Sequence, residues 1–198
     1  MRDALLLATG NRHKVAEIQQ ILQGLSLAIA CLADFPPIDA PVEDGHTFEE
    51  NARKKAVYYS RHLRARCIAE DSGLVVDALN GAPGVFSARY AGPGATDDKN
   101  NAKLLDALAG VPKSQRTARY VCCAVLAGPA GILHTETGTV EGCIALAPRG
   151  TNGFGYDPLF IPEGHTRTFG ELDPAVKQAI SHRADAFHKF RAYLESVP

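Results

Sequence analysis

Short apolar stretches alternate with amphipathic stretches through the first half of the chain. The spacing predicts strands at 4–8, 26–30 and 67–69, and helices at 14–22, 47–63 and 96–108. The helix over 47–63 begins with a Thr-x-x-Glu capping box, Thr47 to Glu50. Alternation of this kind predicts an α/β or α+β fold, in which helices flank a layered sheet.

The second half has a different pattern. Alternating and β-branched residues at 118–127 and 131–140 flank Gly-Pro-Ala-Gly, which predicts a hairpin. A further strand is predicted at 142–147, before a glycine-rich loop, and helices at 173–180 and 181–196. We expect a central mixed sheet with flanking helices and two lobes around a cleft. Without a repeat or a linker, residues 1–198 are predicted to form one domain.

Composition and charge limit the class of binding partner and the cellular compartment that the sequence predicts. The formal net charge is -1, which provides no general field for a polyanion, so a small molecule is favoured over nucleic acid as the partner. The five cysteines form no Cys-x-x-Cys pair, which predicts a reduced, cytoplasmic protein. The first apolar run is too short for a signal peptide or a membrane span, and no membrane partner is expected.

A phosphate-binding turn is predicted where the first strand meets the first helix. Its sequence is Thr9-Gly10-Asn11-Arg12-His13-Lys14. Backbone N–H groups at a helix N-terminus attract anions, and Lys14 adds a full positive charge. The Walker A spacing is missing, so a turn without this function stays open.

Two adjacent carboxylates, Glu70 and Asp71, follow the strand that begins at Cys67. Strand ends beside loops are where binding residues collect. Such carboxylates can hold Mg²⁺, which keeps several waters and bridges phosphates, and Asp71 is the stronger candidate. The alternative is an Asx turn, in which Asp71 bonds the backbone near Gly73.

Two later segments also contain candidate binding residues. Glycines and aromatics combine in the segment Gly153-Phe154-Gly155-Tyr156-Asp157, where Phe154 could stack on a base. Alternatively, both aromatic rings fill the core. The segment Ser181-His182-Arg183 begins the closing helix with cations that oppose its dipole, and Lys177 could join them. The alternative is that these cations face solvent.

Together these segments resemble the inosine triphosphate pyrophosphatase family over nearly the whole chain. The shared motifs are T-G-N-x-x-K from Thr9, T-F-x-E-N-A-x-x-K at Thr47 to Lys55, D-S-G-L at Asp71 to Leu74, G-A-P-G-x-x-S-A-R-Y at Gly81 to Tyr90, G-F-G-Y-D-P at Gly153 to Pro158, and K-x-x-x-S-H-R at Lys177 to Arg183. Glu70 departs from the pattern, since bacterial relatives often have Asp there.

The resemblance implies Mg²⁺-dependent hydrolysis of deaminated purine nucleoside triphosphates by a homodimer that binds the nucleotide in the cleft. It makes Asp71 the proton acceptor and, with Glu43, a metal ligand. The implied substrate contacts are Thr9, Gly10, Asn11, Arg12, His13, Lys14, Ser72, Phe154, Gly155, Tyr156, Asp157, Lys177, His182 and Arg183. Lys55 is expected to join Lys14 and Lys177 in offsetting the triphosphate charge.

Two alternative functions stay open. One is a pyrophosphatase for modified pyrimidine nucleotides, which would share the fold but not the Ser-His-Arg pattern. The other is a nucleotide- or RNA-binding module without catalysis, which would use Lys14, Phe154 and Arg183 as contacts. A binding module gains nothing from Asp71 beside a polyanion unless a metal intervenes.

Overall fold

The computed structural model describes residues 4–197, which form two compact units. Residues 4–71, 122–138 and 183–197 build the first unit, and residues 72–121 and 139–182 build the second. The strands are β1 (Ala4–Leu7), β2 (Ala28–Cys31), β3 (Arg66–Val76), β4 (Thr117–Gly128), β5 (Gly131–Ile144) and β6 (Phe160–Pro162). The α-helices are α1 (Arg12–Ile21), α2 (Phe48–Leu63), α3 (Asp97–Ala107), α4 (Pro174–Ile180) and α5 (His182–Ser196).

The described strands form one mixed sheet in the order β2-β1-β3-β4-β5-β6. Strand β1 pairs in parallel with both β2 and β3, whereas β5 and β6 are antiparallel. Only Pro129 and Ala130 separate the neighbouring strands β4 and β5, which confirms the predicted hairpin. The predicted helices are also confirmed, and Thr47 caps α2 by accepting a hydrogen bond from Glu50 N at 3.1 Å.

In the first unit, two apolar cores lie on opposite faces of the sheet. Leu5 and Leu7 pack in one core with residues of α1 and α5, whereas Leu6 packs in the other with residues of α2. Strand β4 divides in the same way, since Cys122 belongs to the first core and Cys123 to the second. Successive side chains of a strand point to opposite faces, so apolar runs are needed when both faces are covered.

The second unit has its own core, rich in aromatic side chains. Tyr120 and Phe160 lie 4.8 Å apart between ring centroids, and Phe160 and Phe169 lie 5.5 Å apart. Helix α3 contributes Leu104 to this core, and Thr96 caps the helix. The loops of this unit are therefore anchored on a packed centre of their own.

Two strand predictions were incomplete, and one strand was missed. The strand predicted at 67–69 is too short, because β3 continues through Ser72 and Gly73 to Val76, so the alternative Asx turn at Asp71 does not form. The Gly73 backbone passes close to Ser87, whose Oγ accepts a hydrogen bond from Leu74 N at 2.9 Å. The strand predicted at 142–147 is the end of β5, and the three-residue strand β6 was not predicted.

All five cysteines are free thiols. Burial raises the pKa of Cys67 to about 12 and that of Cys123 to about 11, so neither is a ready nucleophile at neutral pH. Among the helices within residues 4–197, none combines the length and hydropathy that crossing a bilayer requires.

Candidate functional site

The turn before α1 is exposed at most of its residues and is organised by Asn11. The Asn11 side chain accepts hydrogen bonds from His13 N at 2.9 Å and Lys14 N at 3.3 Å, and Asn11 N donates to Thr9 Oγ1 at 3.2 Å. Gly10 and Arg12 are also exposed. Asn11 therefore already satisfies two of the N–H groups that the sequence assigned to an anion.

Glu70 and Asp71 lie within β3, so their side chains point to opposite faces of the sheet. Ile68 on the Glu70 face belongs to the core with α1 and α5, and Ala69 on the Asp71 face belongs to the core with α2. Strand β1 ends at Leu7 opposite Ile68, which brings the following turn beside Glu70. The two carboxylates consequently have different partners, and adjacency alone does not let them share one ion.

Glu70 is the centre of a buried ion-pair network. Its Oε1 lies 2.6 Å from Lys14 Nζ and its Oε2 lies 3.6 Å from Arg183 NH2. Arg183 also donates to Glu17 Oε2 at 2.6 Å, and its side chain is only 1% exposed. Burial alone would raise the pKa of Glu70, but Lys14 and Arg183 outweigh that effect and hold it well below its usual range. Glu70 is therefore a carboxylate at neutral pH.

Asp71 on the other face is held by two residues of α2. Its Oδ1 accepts a hydrogen bond from Lys55 Nζ at 3.0 Å, and its Oδ2 accepts one from Asn51 Nδ2 at 3.2 Å. Burial raises the pKa of Asp71, and the opposing effect of Lys55 only partly offsets it. A raised pKa and a fixed orientation are what a general base requires.

Lys55 connects Asp71 to Glu43, because its Nζ also lies 3.0 Å from Glu43 Oε2. Burial favours the neutral amine, but Asp71, Glu70 and Glu43 together raise the pKa of Lys55 above its ordinary value. No group of three or more His, Cys, Asp or Glu side chains arranged for a metal occurs within residues 4–197. Glu43 and Asp71 do offer hard oxygen donors, and one or two carboxylates suffice for Mg²⁺ that keeps its waters and bridges phosphates. The pair therefore fits Mg²⁺ in its chemistry.

Asp157 organises the candidate loop of the second unit. Its Oδ2 accepts hydrogen bonds from Phe154 N at 2.8 Å and from Lys177 Nζ at 2.6 Å. A Cβ on Gly153 would lie 2.0 Å from the same oxygen, and Gly153 has a φ of +77°, so this position requires glycine. The loop is thus tied to a buried lysine by one carboxylate.

The two aromatic residues of this loop have different environments. Phe154 is half-buried, and Lys177 Nζ lies over its ring, 4.3 Å from the centroid. Tyr156 is 3% exposed, packs in the core of the second unit and donates from its hydroxyl to Ser87 O at 2.9 Å. Phe154 therefore lies partly at the surface against Lys177, whereas Tyr156 occupies the core, as the alternative interpretation predicted.

His182 is 4% exposed and stacks on Tyr120, with ring centroids 4.7 Å apart and planes 10° from parallel. The Tyr120 hydroxyl in turn lies 3.5 Å from Asp157 Oδ1. Ser72 is half-buried in β3, directly after Asp71. His182, Tyr120, Asp157 and Lys177 therefore form one connected set in the second unit.

The predicted site residues fall into separate groups, each within one unit. The first unit holds Lys14 and Arg183 around Glu70 on one face of the sheet, and Glu43, Lys55 and Asp71 on the other face. The second unit holds Phe154, Gly155, Asp157, Lys177 and His182. Sequence reasoning missed Asn51, Glu17 and Tyr120. Asn51 had a signal, since it stands one helical turn before Lys55 on a face otherwise lined by Ala52 and Ala56.

The chain has many relatives of similar length. A dITP/XTP pyrophosphatase from Geobacter sulfurreducens is 47% identical over 190 residues, which cover 96% of each chain. Another protein of that name, from an Exiguobacterium species, is 47% identical over 194 residues, covering 98% of this chain and 97% of the relative.

Solved structures agree with these relatives. A HAM1 protein from Coxiella burnetii is 41% identical, with a TM-score of 0.91 over 100% of both chains. The Ham1 protein of Staphylococcus aureus is 38% identical, with a TM-score of 0.87 over 97% and 98% of the two chains. The predicted mixed sheet with flanking helices is confirmed as the fold that these proteins share. Because the model of the Ham1 family also matches residues 5–193, the resemblance inferred from the motifs is confirmed, and the chain belongs to the Ham1 family.

Proposed function

We propose that this chain hydrolyses deaminated purine nucleoside triphosphates, namely ITP, dITP and XTP, to the monophosphate and pyrophosphate. The observation that carries the proposal is Asp71, a buried carboxylate with a raised pKa, held in one orientation by Lys55 and Asn51. The names of the relatives, dITP/XTP pyrophosphatase, support the same reaction.

Hydrolysis begins with a water molecule oriented and deprotonated by Asp71. The water attacks the α-phosphorus, because only cleavage between the α- and β-phosphates releases pyrophosphate. Lys14 and Lys55 offset the charge of the triphosphate. Cations at these positions stabilise the negative charge that develops on the phosphoryl oxygens in the transition state. Asn51 keeps the Asp71 carboxylate in one orientation, and the proton that Asp71 accepts is later returned to solvent.

Glu43 and Asp71 are the proposed residues that hold Mg²⁺. When bound, the ion would neutralise phosphate charge and orient the substrate. Lys55 now lies within hydrogen-bonding distance of both carboxylates, which supports the view that this pair attracts a cation.

The group in the second unit is proposed to bind the nucleoside. Phe154 offers a ring for stacking on the base, and Lys177 supplies a cation held by Asp157. A donor from His182, or from Arg183 outside this group, would favour the 6-oxo group of hypoxanthine and xanthine over the 6-amino group of adenine. Both side chains are almost completely buried, so their direct contact with a base stays a prediction. An Arg183→Ala variant that kept its full preference for ITP over ATP would exclude Arg183 from this role.

Product analysis tests the proposed function. Purified protein is incubated with ITP, dITP, XTP, GTP and ATP, each with and without Mg²⁺, and phosphate and pyrophosphate are measured separately. We expect IMP and pyrophosphate from ITP only when Mg²⁺ is present, with little turnover of ATP. Preferential turnover of modified pyrimidine nucleotides, or tight binding without turnover of any nucleotide, would contradict the proposal.

Assembly and location are further parts of the proposal. We propose a homodimer, as the family resemblance implies, and mass measurement by light scattering tests it: a monomer at micromolar concentration would contradict it.

A cytoplasmic location is supported by the five free thiols and by a nucleotide-pool substrate.

A further inference from the structure

Two polar residues of α3 bind the loop that contains Phe154. The Asp97 carboxylate accepts a hydrogen bond from Gly155 N at 2.7 Å, and Asn101 Nδ2 donates to Gly155 O at 2.9 Å. Asp97 and Asn101 are four residues apart, so they lie on the same face of the helix. One residue of the loop is therefore held at both its N–H and its carbonyl group.

This double contact fixes an unusual backbone conformation. Gly155 has a φ of +62°, which lies in the left-handed region that glycine adopts readily. The preceding residue, Phe154, is held by Asp157 through its own N–H. Hydrogen bonds to successive N–H groups thus restrain the loop on either side of the Phe154 side chain, and α3 supplies the restraint at Gly155.

The side-chain amide of Asn101 is buried, and its hydrogen bond to Gly155 O fixes its orientation. The residue is 6% exposed, and its Oδ1 is buried without a hydrogen-bond partner among residues 4–197. A carbonyl oxygen can only accept, so the group facing Gly155 O must be the amide nitrogen, which fixes the orientation of the side chain. A buried acceptor without a hydrogen bond costs free energy, and the donor bond from Nδ2 to Gly155 O leaves that cost in place.

We propose that Asp97 and Asn101 are positioning residues that hold Phe154 in the conformation that binds the nucleoside. This inference rests on the proposed function, since it assigns a role in substrate binding within that nucleotide site. Neither residue contacts the reacting phosphorus in this scheme. Their loss should therefore weaken substrate binding without slowing the chemical step.

Isosteric substitutions at the two positions have opposite expected results. Asp97→Asn keeps an acceptor for Gly155 N, whereas Asp97→Ala removes it; Asn101→Asp keeps the size of the side chain but loses the donor for Gly155 O. Asp98→Ala is the matched control, because Asp98 is an exposed carboxylate in the same first turn of α3. KM and kcat for ITP and the melting temperature are measured for each variant.

We expect KM to rise about 10-fold in Asp97→Ala and in Asn101→Asp, with kcat within about 3-fold of the parent, as loss of one hydrogen bond implies. Asp97→Asn and Asp98→Ala should keep the parental KM. A lower melting temperature with unchanged KM in Asp97→Ala would overturn the inference, because it would show a structural role only. Equal effects of Asp97→Ala and Asp98→Ala would also overturn it, because they would trace the effect to the helix dipole.

A second measurement does not depend on catalysis. The chain has no tryptophan, so Phe154→Trp introduces a single fluorescent reporter into the loop. Adding Asp97→Ala to that variant should raise acrylamide quenching and lower anisotropy, and adding Asp98→Ala should change neither. If the reporter responds as expected but the parent protein hydrolyses no nucleotide, the proposed function fails while the restraint of the loop stands. An unresponsive reporter overturns the inference even if the enzyme is active.

Discussion

Replacing Glu70 by Gln removes the buried charge that balances Lys14 and Arg183 while keeping the size of the side chain. At an effective dielectric constant of about 20, the contacts at 2.6 and 3.6 Å correspond to attractions of about 6 and 5 kcal/mol. The cost of burying the ions cancels much of this. Removing one partner from a buried pair typically costs about 3–5 kcal/mol, and we expect the lower end because Lys14 is partly exposed.

The assay is thermal unfolding followed by circular dichroism. A loss of about 3 kcal/mol should lower the melting temperature by about 6–12 °C in a chain of this length. Glu141→Gln is the matched control, because Glu141 pairs with Arg119 at 2.9 Å with half of its side chain exposed. Exposed pairs contribute about 0–1 kcal/mol, so the control should melt almost with the parent.

The pH dependence identifies the carboxylate as the cause. The folded pKa of Glu70 lies well below its unfolded value of about 4.3, so its contribution is complete above about pH 5 and is lost as pH falls toward the folded pKa. The difference between parent and Glu70→Gln should shrink by about 1.4 kcal/mol for each pH unit below about 4.3. A difference below about 1 kcal/mol at pH 7, or one that does not change down to pH 3, would refute this reasoning.

Three further predictions concern activity and the loop. Asp71→Asn should lower kcat for ITP at least about 10²-fold in initial-rate assays, and near-normal turnover would remove Asp71 from the mechanism. Because burial raises the pKa of Asp71, kcat/KM should fall as pH decreases through that raised pKa. Lys55→Gln removes the cation that lowers this pKa, so the acidic limb of the pH profile should move to higher pH. An acidic limb that does not move would contradict the pairing of Lys55 with Asp71. Gly153→Ala should lower the free energy of unfolding by more than about 1 kcal/mol beyond the loss caused by Gly110→Ala. Gly110 is the control, because its φ is +80° but no atom lies within 4 Å of the new Cβ. Equal losses in the two variants would exclude the clash with Asp157.

The local signals in the sequence identified most elements correctly. The Thr47 capping box gave the start of α2, and the turn residues at 128–131 gave the hairpin, because both depend on neighbours in the chain. The course of β3 could not be predicted in this way. Polar residues and a glycine at 70–73 are typical of a turn, but neighbouring strands and Ser87, which are distant in sequence, keep the segment extended.

The sequence named candidate residues better than it named their partners. Motifs pointed to Lys14, Asp71 and Arg183, yet the assignment of Glu70 to one face and Asp71 to the other follows only from the length of β3. The stacking of Tyr120 on His182 joins residues far apart in the chain and left no local signal. The helix α3 was predicted from the sequence, but the contacts of Asp97 and Asn101 with Gly155 were not.

The most direct test of the central claim is a single turnover of ITP in water enriched in ¹⁸O, with both products analysed by mass spectrometry. Attack on the α-phosphorus predicts one ¹⁸O atom in IMP and none in pyrophosphate. Label in pyrophosphate, or release of inorganic phosphate in place of pyrophosphate, would contradict the account.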